Sequence, residues 1–289
     1  MGDSKPALLI AQITDIHIGF DPNAGEEEFN YKRFLDVRDH ILAQDIHPDI
    51  LILSGDLADG GDPDCYDRLK KALEACPFPV YPMTGNHDTR DVLVKAFPGF
   101  EDADGFVQYA IELGGFRVLC IDSLDEGRHG AGFCEKRAAW LTRELESHPT
   151  TPTMIFMHHP PVVAGIDWMD PKTTEDWYKR FHRTVTGYSH IVGIACGHLH
   201  RPLFSAVAGI PLSVTPAVAP AVTLDLRPLD TEIADERGIV DAEPPFYSLH
   251  RWHDDTLVTH LQPVGNWQTL ARYGDNLKPM MQGLLDERT

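Results

Sequence analysis

The chain has little of what marks several common kinds of protein. It carries five cysteines among 289 residues, Cys65, Cys76, Cys120, Cys134 and Cys196, scattered and without a C-x-x-C pair. That usage argues against a disulfide frame or a zinc knuckle and fits core thiols of a reducing, cytoplasmic compartment. No apolar run approaches the length that crosses a bilayer, and the polar stretch Met1–Ala7 leads straight into a strand without a signal-peptide pattern. Cations are scarce: Lys and Arg number 25 against 44 Asp and Glu, a formal charge of -19. Such a deficit argues against duplex nucleic acid and anionic membrane surfaces as partners. Walker loops, dinucleotide fingerprints and G-x-S-x-G elbows are missing, so phosphoryl transfer from ATP, hydride transfer and serine hydrolysis have no support. Repeats, low-complexity tracts and clear linkers are missing too.

What is present is a regular succession of apolar runs. Hydrophobic residues make up 43% of the chain, enough for a sizeable core without disulfides. Leu8–Thr14, Ile50–Ser54 and Pro79–Met83 read as strands; residues 27–44, and a stretch opened by Asp62-Pro63, read as the helices between them. This β-α-β-α-β order predicts a layered α/β fold. Further on, Gly114-Gly115 marks a hairpin between 106–113 and 116–122. A helix at 134–147, a strand at 153–157, a helix at 174–185 and a strand at 191–196 follow. A second hairpin turns about Gly209, and strands at 247–252 and 257–261 close a second sheet. The expected organisation is one domain over residues 1–262, two mixed β-sheets flanked by helices, with a long acidic, proline-rich loop at 216–245. Residues 263–289 are expected to form a C-terminal arm or lid, and the loop and tail together suggest a homo-oligomer.

Five strands end on side chains of one chemical kind. They are Asp15 and His17; Asp56; Asn86 and His87; His158; and His198 and His200. In open α/β sheets ligands collect beyond the carboxyl ends of strands. Any one group is ordinary turn chemistry: Gly55-Asp56 suits a turn, and Asn86 tolerates left-handed backbone. Five such endings in succession, each after an apolar run, are not ordinary. Carboxylate, amide and imidazole donors of this mixture suit Zn, Mn, Fe or Co. They are too many for one tetrahedral ion and divide naturally between two, with one carboxylate shared.

The set Asp15-x-His17, Gly55-Asp56, Gly85-Asn86-His87-Asp88, His158-His159 and Gly197-His198-x-His200 resembles the five-block signature of the calcineurin-like metallophosphoesterases. The spacing and His158-His159-Pro160-Pro161 look most like the bacterial branch of class-III cyclic nucleotide phosphodiesterases and glycerophosphodiesterases. The resemblance implies a four-layer αββα sandwich holding two divalent or trivalent ions, Fe, Mn, Zn or Co. It implies that Asp15, His17 and His200 hold one ion, that Asn86, His158 and His198 hold the other, and that Asp56 bridges them. His87 then faces the substrate and helps the leaving oxygen depart, with Asp88 placed to orient it. The implied reaction is hydrolysis of a small phosphodiester, a cyclic nucleotide or a glycerophosphodiester, by water ionised between the ions. A phosphomonoesterase or nuclease on the same fold, and a non-catalytic scaffold, are the competing readings. His159 is either an outer partner of a ligand or a satisfied structural histidine. The 127–132 loop reads as a mobile surface loop or a substrate loop; Trp168, Trp177 and Tyr178 read as core or pocket aromatics.

Overall fold

Apolar runs bounded by turn residues become strands covered on both faces, and the amphipathic stretches between them become the covering helices. The computed structural model describes residues 7–288, so the polar N-terminal stretch, apart from Ala7, lies outside the described residues. In chain order come β1 (Leu8–Ile13), α1 (Phe29–Leu42), β2 (Ile50–Ser54), α2 (Pro63–Leu73), β3 (Val80–Met83) and α3 (Arg90–Ala96). Next are β4 (Tyr109–Glu112), β5 (Arg117–Ile121), α4 (Glu135–Ser147), β6 (Thr153–Met157), α5 (Asp176–Val185) and β7 (Ile191–Cys196). The chain continues through β8 (Leu203–Val207), β9 (Ile210–Val214), β10 (Ala221–Val222), β11 (Val240–Asp241), β12 (Phe246–His253), β13 (Thr256–Pro263) and α6 (Lys278–Asp286).

Two large sheets result. One has the order β13-β12-β1-β2-β3, the other β4-β5-β6-β7-β9-β8. Strands β1, β2 and β3 run parallel, as do β5, β6, β7 and β9. The period of two along each strand sorts side chains into layers. Leu51 and Leu53 pack outward with Phe34, Val37 and Leu69 of α1 and α2. Ile50 and Ile52 point the other way and meet Val118, Cys120, Met154 and Phe156 of the second sheet. Leu119, Ile121, Ile155 and Met157 pack outward with Leu141, Leu145 and Phe181 of α4 and α5. The order is helix, sheet, sheet, helix: the four-layer sandwich expected above.

Between the sheets a polar network sits beside the apolar filling. Gln12 Nε2 donates to Ser54 Oγ at 2.7 Å and to the Cys196 carbonyl at 3.1 Å. Its Oε1 accepts from Thr215 Oγ1 at 2.7 Å and faces His250 Nε2 at 3.0 Å. Gln12 therefore ties β1, β2, β7 and β12 together just below the strand ends that carry the polar groups.

Some elements depart from expectation: β12 and β13 do not close the second sheet but extend the first one, through the pairing of β12 with β1. Strand β4 begins at Tyr109 rather than Phe106 because carboxylates intercept the preceding amides. Asp102 Oδ1 accepts from Phe106 N at 3.0 Å, and Asp122 Oδ2 from Val107 N at 2.9 Å. The 216–245 segment is not wholly irregular: Ala221 pairs with Asp241 and Val222 with Val240. Helices α3 and α6 lacked a long enough periodic stretch to be legible. In α6 no residue is buried, and its apolar Met280, Met281, Leu284 and Leu285 are exposed and span less than two turns. Among the described residues no helix is long and apolar enough to cross a membrane.

Candidate metal centre

Parallel strands in both sheets end at one place. β1 delivers Asp15 and His17, β2 Asp56, β3 Asn86 and His87, β6 His158, and β7 His198 and His200. Backbone bonds fix these endings to one another. Asp15 N donates to the Gly55 carbonyl at 3.0 Å, Ile16 N and His17 N to that of Asp56 at 2.8 and 2.9 Å. Gly197 N donates to the His158 carbonyl at 3.0 Å. The backbone there is strained: Asp15, His17, Asp56, His198 and His200 all have φ between 52° and 69°. Non-glycine residues rarely occupy this region, and such conformations cluster where side chains must be aimed. Two glycines permit the close approach. A Cβ on Gly85 would lie 2.2 Å from Asp56 Oδ1, and one on Gly197 would lie 2.0 Å from Thr14 Oγ1.

The predicted residues form contiguous groups. Asp15, His17 and His200 offer donor atoms within 4.8 Å of one another, as do Asp15, Asp56 and His158. Asp56 Oδ2 stands 3.6 Å from His17 Nε2 and 3.2 Å from His158 Nε2, between the two halves of the site. Asn86 Oδ1 lies 2.9 Å from His198 Nδ1 and 3.3 Å from His158 Nε2.

The outer nitrogens of three imidazoles are already taken. His158 Nδ1 faces the Ser54 carbonyl at 2.9 Å, His200 Nδ1 the Pro220 carbonyl at 2.7 Å, and His17 Nδ1 the Asp59 carboxylate at 2.9 Å. Each partner is an acceptor, so Nδ1 carries a proton and Nε2 is the nitrogen that faces inward, with a lone pair wherever the ring is neutral. Two of those lone pairs, on His17 and His200, face each other at 3.1 Å. Two acceptors at that distance repel unless a cation or proton lies between them. Asp15 and Asp56 add buried negative charge to the same space. Burial pushes both carboxyls up, but neighbouring imidazoles outweigh it: His200 and His158 lower Asp15, and His158 with His17 lowers Asp56. Burial pushes the His158 imidazolium down, yet Asp56 and Asp15 hold it up to about 9. His198 falls well below its ordinary value, through burial and the neighbouring His159, His158 and His129. This acceptor-rich donor set fits hard-to-borderline divalent cations.

His87 borders that set on the cleft side, grouped with His17 and Asp56 but with its side chain 43% exposed. Its Nδ1 lies 2.6 Å from Asp59 Oδ1, and the Asp59 hydrogen bond is the main cause of its raised pKa. The orienting carboxylate is thus Asp59 and not Asp88, which corrects the expectation for the latter. Asp88 is turned inward, accepting from the amides of Leu57, Ala58 and Gly85 and from Tyr66 Oη. Burial, with the Asp56 charge, raises it to about 6. Asp59 went unassigned because nothing in its spacing separates it from an ordinary turn residue. Its role arises only where a short helical turn carries it between His17 and His87, whose rings meet edge-on at 4.5 Å.

His159 is fully partnered. Ser123 Oγ lies 2.8 Å from its Nδ1 and the His129 carbonyl 3.2 Å from its Nε2, and burial lowers its pKa to about 3. The 127–132 loop reaches the site: the His129 ring lies 4.8 Å from that of His198. Trp168 lines the cleft, Trp177 is buried in the core of the second sheet, and Tyr178 stacks on His182 at 4.4 Å. The centre opens into a cleft of about 670 Å³ whose outer walls include Phe20, Phe29, Val222 and Val240. No Lys or Arg lines it.

Two helix-covered sheets whose parallel strands bring carboxylates and imidazoles to one edge define the metallophosphoesterase class of fold. The chain belongs to the calcineurin-like phosphoesterase family, whose model matches residues 8–202. It is 28% identical over 270 residues to a probable glycerophosphodiester phosphodiesterase of Arcobacter nitrofigilis, covering 90% of this chain and 95% of that one. It is 33% identical over 224 residues to a probable cyclic nucleotide phosphodiesterase of Rhodopseudomonas palustris, covering 74% and 78%. Among solved structures, the purple acid phosphatase of yellow lupin seeds superposes with a TM-score of 0.63 at 13% identity. That match covers 89% of this chain but 52% of the lupin protein, so the chain spans about half its length.

Proposed function

We propose that this chain is a metal-dependent phosphoric diester hydrolase acting on small diesters, either cyclic nucleotides or glycerophosphodiesters. The observation that carries the reading is the inward convergence of two buried carboxylates with imidazole lone pairs, two of them 3.1 Å apart. In this reading Asp15, His17 and His200 hold one ion, Asn86, His158 and His198 the other, and Asp56 serves both. Fe, Mn, Zn and Co all suit this donor set. Two such cations supply positive charge for the phosphoryl oxygens and lower the pKa of water. The protein's own groups do the rest. Asp59 fixes the Nδ1 proton of His87, leaving Nε2 to hold a proton toward the cleft. The Asp59 hydrogen bond raises the His87 pKa and so favours the protonated ring, for delivery of that proton to the departing alkoxide as the phosphorus–oxygen bond breaks. The lack of cations along the cleft disfavours polyanions such as nucleic acid strands.

The names of both relatives support a diester substrate. The five cysteines, all free, support a reducing, cytoplasmic setting. Exposed Leu224, Leu226 and Ile233 in the insertion, with Trp267 and Leu270 in the tail, support self-association and an arm-like role for residues 263–289. Turnover of cyclic AMP, glycerophosphoethanolamine and a plain monoester after metal reconstitution tests the proposal. One of the diesters is expected to turn over well and the monoester poorly. A preference for the monoester, or wild-type turnover surviving in Asp56→Asn, overturns it.

A further inference from the structure

Beside the main cleft lies a second cavity of about 200 Å³. His129 and Trp168 stand between the two and line both, with ring centroids 6.5 Å apart. His198 also borders both cavities, so the ligand cluster faces each of them. Their chemistry differs, the side pocket balancing its two acids with two exposed cations. The main cleft combines apolar Phe20, Phe29 and Val240 with the carboxylates of Asp21 and Glu27 and has no cation on its walls. The side pocket holds Arg128 and Lys172. Among the described residues no carboxylate pairs with the Lys172 ammonium, and Arg128 reaches Asp125 only at 3.5 Å from an exposed position. The pocket's own acids are engaged elsewhere. Asp170 accepts the amides of Ala164 and Gly165 at 2.7 and 2.8 Å, and Glu175 the Trp177 indole at 2.5 Å. The dividing wall is held from behind, since the His129 carbonyl is bound by buried His159 at 3.2 Å.

An open-chain phosphodiester has two separate ester arms, whereas in a cyclic nucleotide both ester oxygens belong to one sugar; with its phosphorus at the cluster, the open-chain diester must send its arms in two directions. We propose that the side pocket is the subsite for one ester arm, an alcohol carrying an anionic group, while the main cleft takes an uncharged apolar or aromatic arm. The proposal rests on the diesterase reading above, in its open-chain rather than its cyclic form, and adds the polarity of that substrate.

The test uses the metal-reconstituted full chain and two chromogenic diesters, methyl p-nitrophenyl phosphate and carboxyethyl p-nitrophenyl phosphate. The readout is the ratio of their kcat/KM values. In Lys172→Ala that ratio is expected to fall roughly tenfold against the carboxylate diester, the worth of one charge-assisted hydrogen bond. Arg128→Ala is expected to shift it the same way, and Arg143→Ala, exposed on α4, to leave it in place. Retained thermal melting shows that each variant is folded. An unchanged ratio in both Lys172→Ala and Arg128→Ala overturns the subsite while leaving the diesterase reading intact. Wild-type protein that hydrolyses neither diester overturns that reading, and the subsite with it.

Discussion

Asp59 is the residue on which two imidazoles depend. Its carboxylate meets His17 Nδ1 at 2.9 Å and His87 Nδ1 at 2.6 Å. Burial pushes its pKa up, but those two hydrogen bonds hold it well below the usual carboxylate range, so it stays charged. Replacing the charge with an amide frees both rings to rotate or change tautomer. Outer partners of metal-site histidines are commonly worth 10–100-fold in affinity or activity, and Asp59→Asn is expected to lose roughly that much turnover. His87→Ala should lose rate while keeping its metal, because Asp59 already takes its Nδ1 and its ring is the exposed member of the group it forms with His17 and Asp56. Elemental analysis beside steady-state rates checks both, and additive losses in the double variant would deny that the residues act together.

At the level of strands and turns, the site depends on backbone that only particular residues tolerate. Gly85 precedes Asn86 where β3 turns past Asp56, and the space for a side chain is already filled by the Asp56 amide and carboxylate. Gly85→Ala must push that carboxylate aside, so both metal content and melting temperature are expected to drop. Normal metal content in a folded Gly85→Ala protein would show that the turn has slack the geometry denies. The β1–β12 pair carries a separate prediction. His250 is fully buried between Gln12 and Thr259, and burial lowers its pKa to about 3. The unfolded chain binds a proton there near pH 6.5, whereas the folded chain resists it. The stabilisation is therefore complete above about pH 6.5 and is lost as pH falls toward 3, on the order of 1 kcal/mol per pH unit. Urea unfolding across that range should show a shallower acid limb in His250→Gln than in wild type.

For the whole molecule, the cluster concentrates acceptors and strain where the two sheets meet. Five left-handed side chains, each of a kind that costs about 1–3 kcal/mol, persist only if the rest of the fold holds them or a ligand rewards them. Metal binding to the folded state alone stabilises it by about 2.7 kcal/mol at a hundred times Kd. Chelation is accordingly expected to lower the melting temperature, and manganese or zinc to restore it. A midpoint indifferent to chelator and metal would leave the strained cluster without its reason. The tail contributes little to this balance, since none of residues 265–288 is buried.

The sequence by itself determined the sandwich and the strand endings. Apolar runs such as Ile50–Leu53 are local, and Asp or His placed directly after them is read from spacing alone. Each candidate ligand block is also local, so His198 and His200 declare themselves together. Tertiary structure alone decided which carboxylate serves His87, because the sequence neighbour Asp88 turns inward while Asp59, from a separate turn, reaches the ring. It also decided that His159 braces a loop, and that the cleft and its side pocket differ in charge. Those properties belong to contacts between separate turns and loops, and no local pattern of residues encodes which of them will meet.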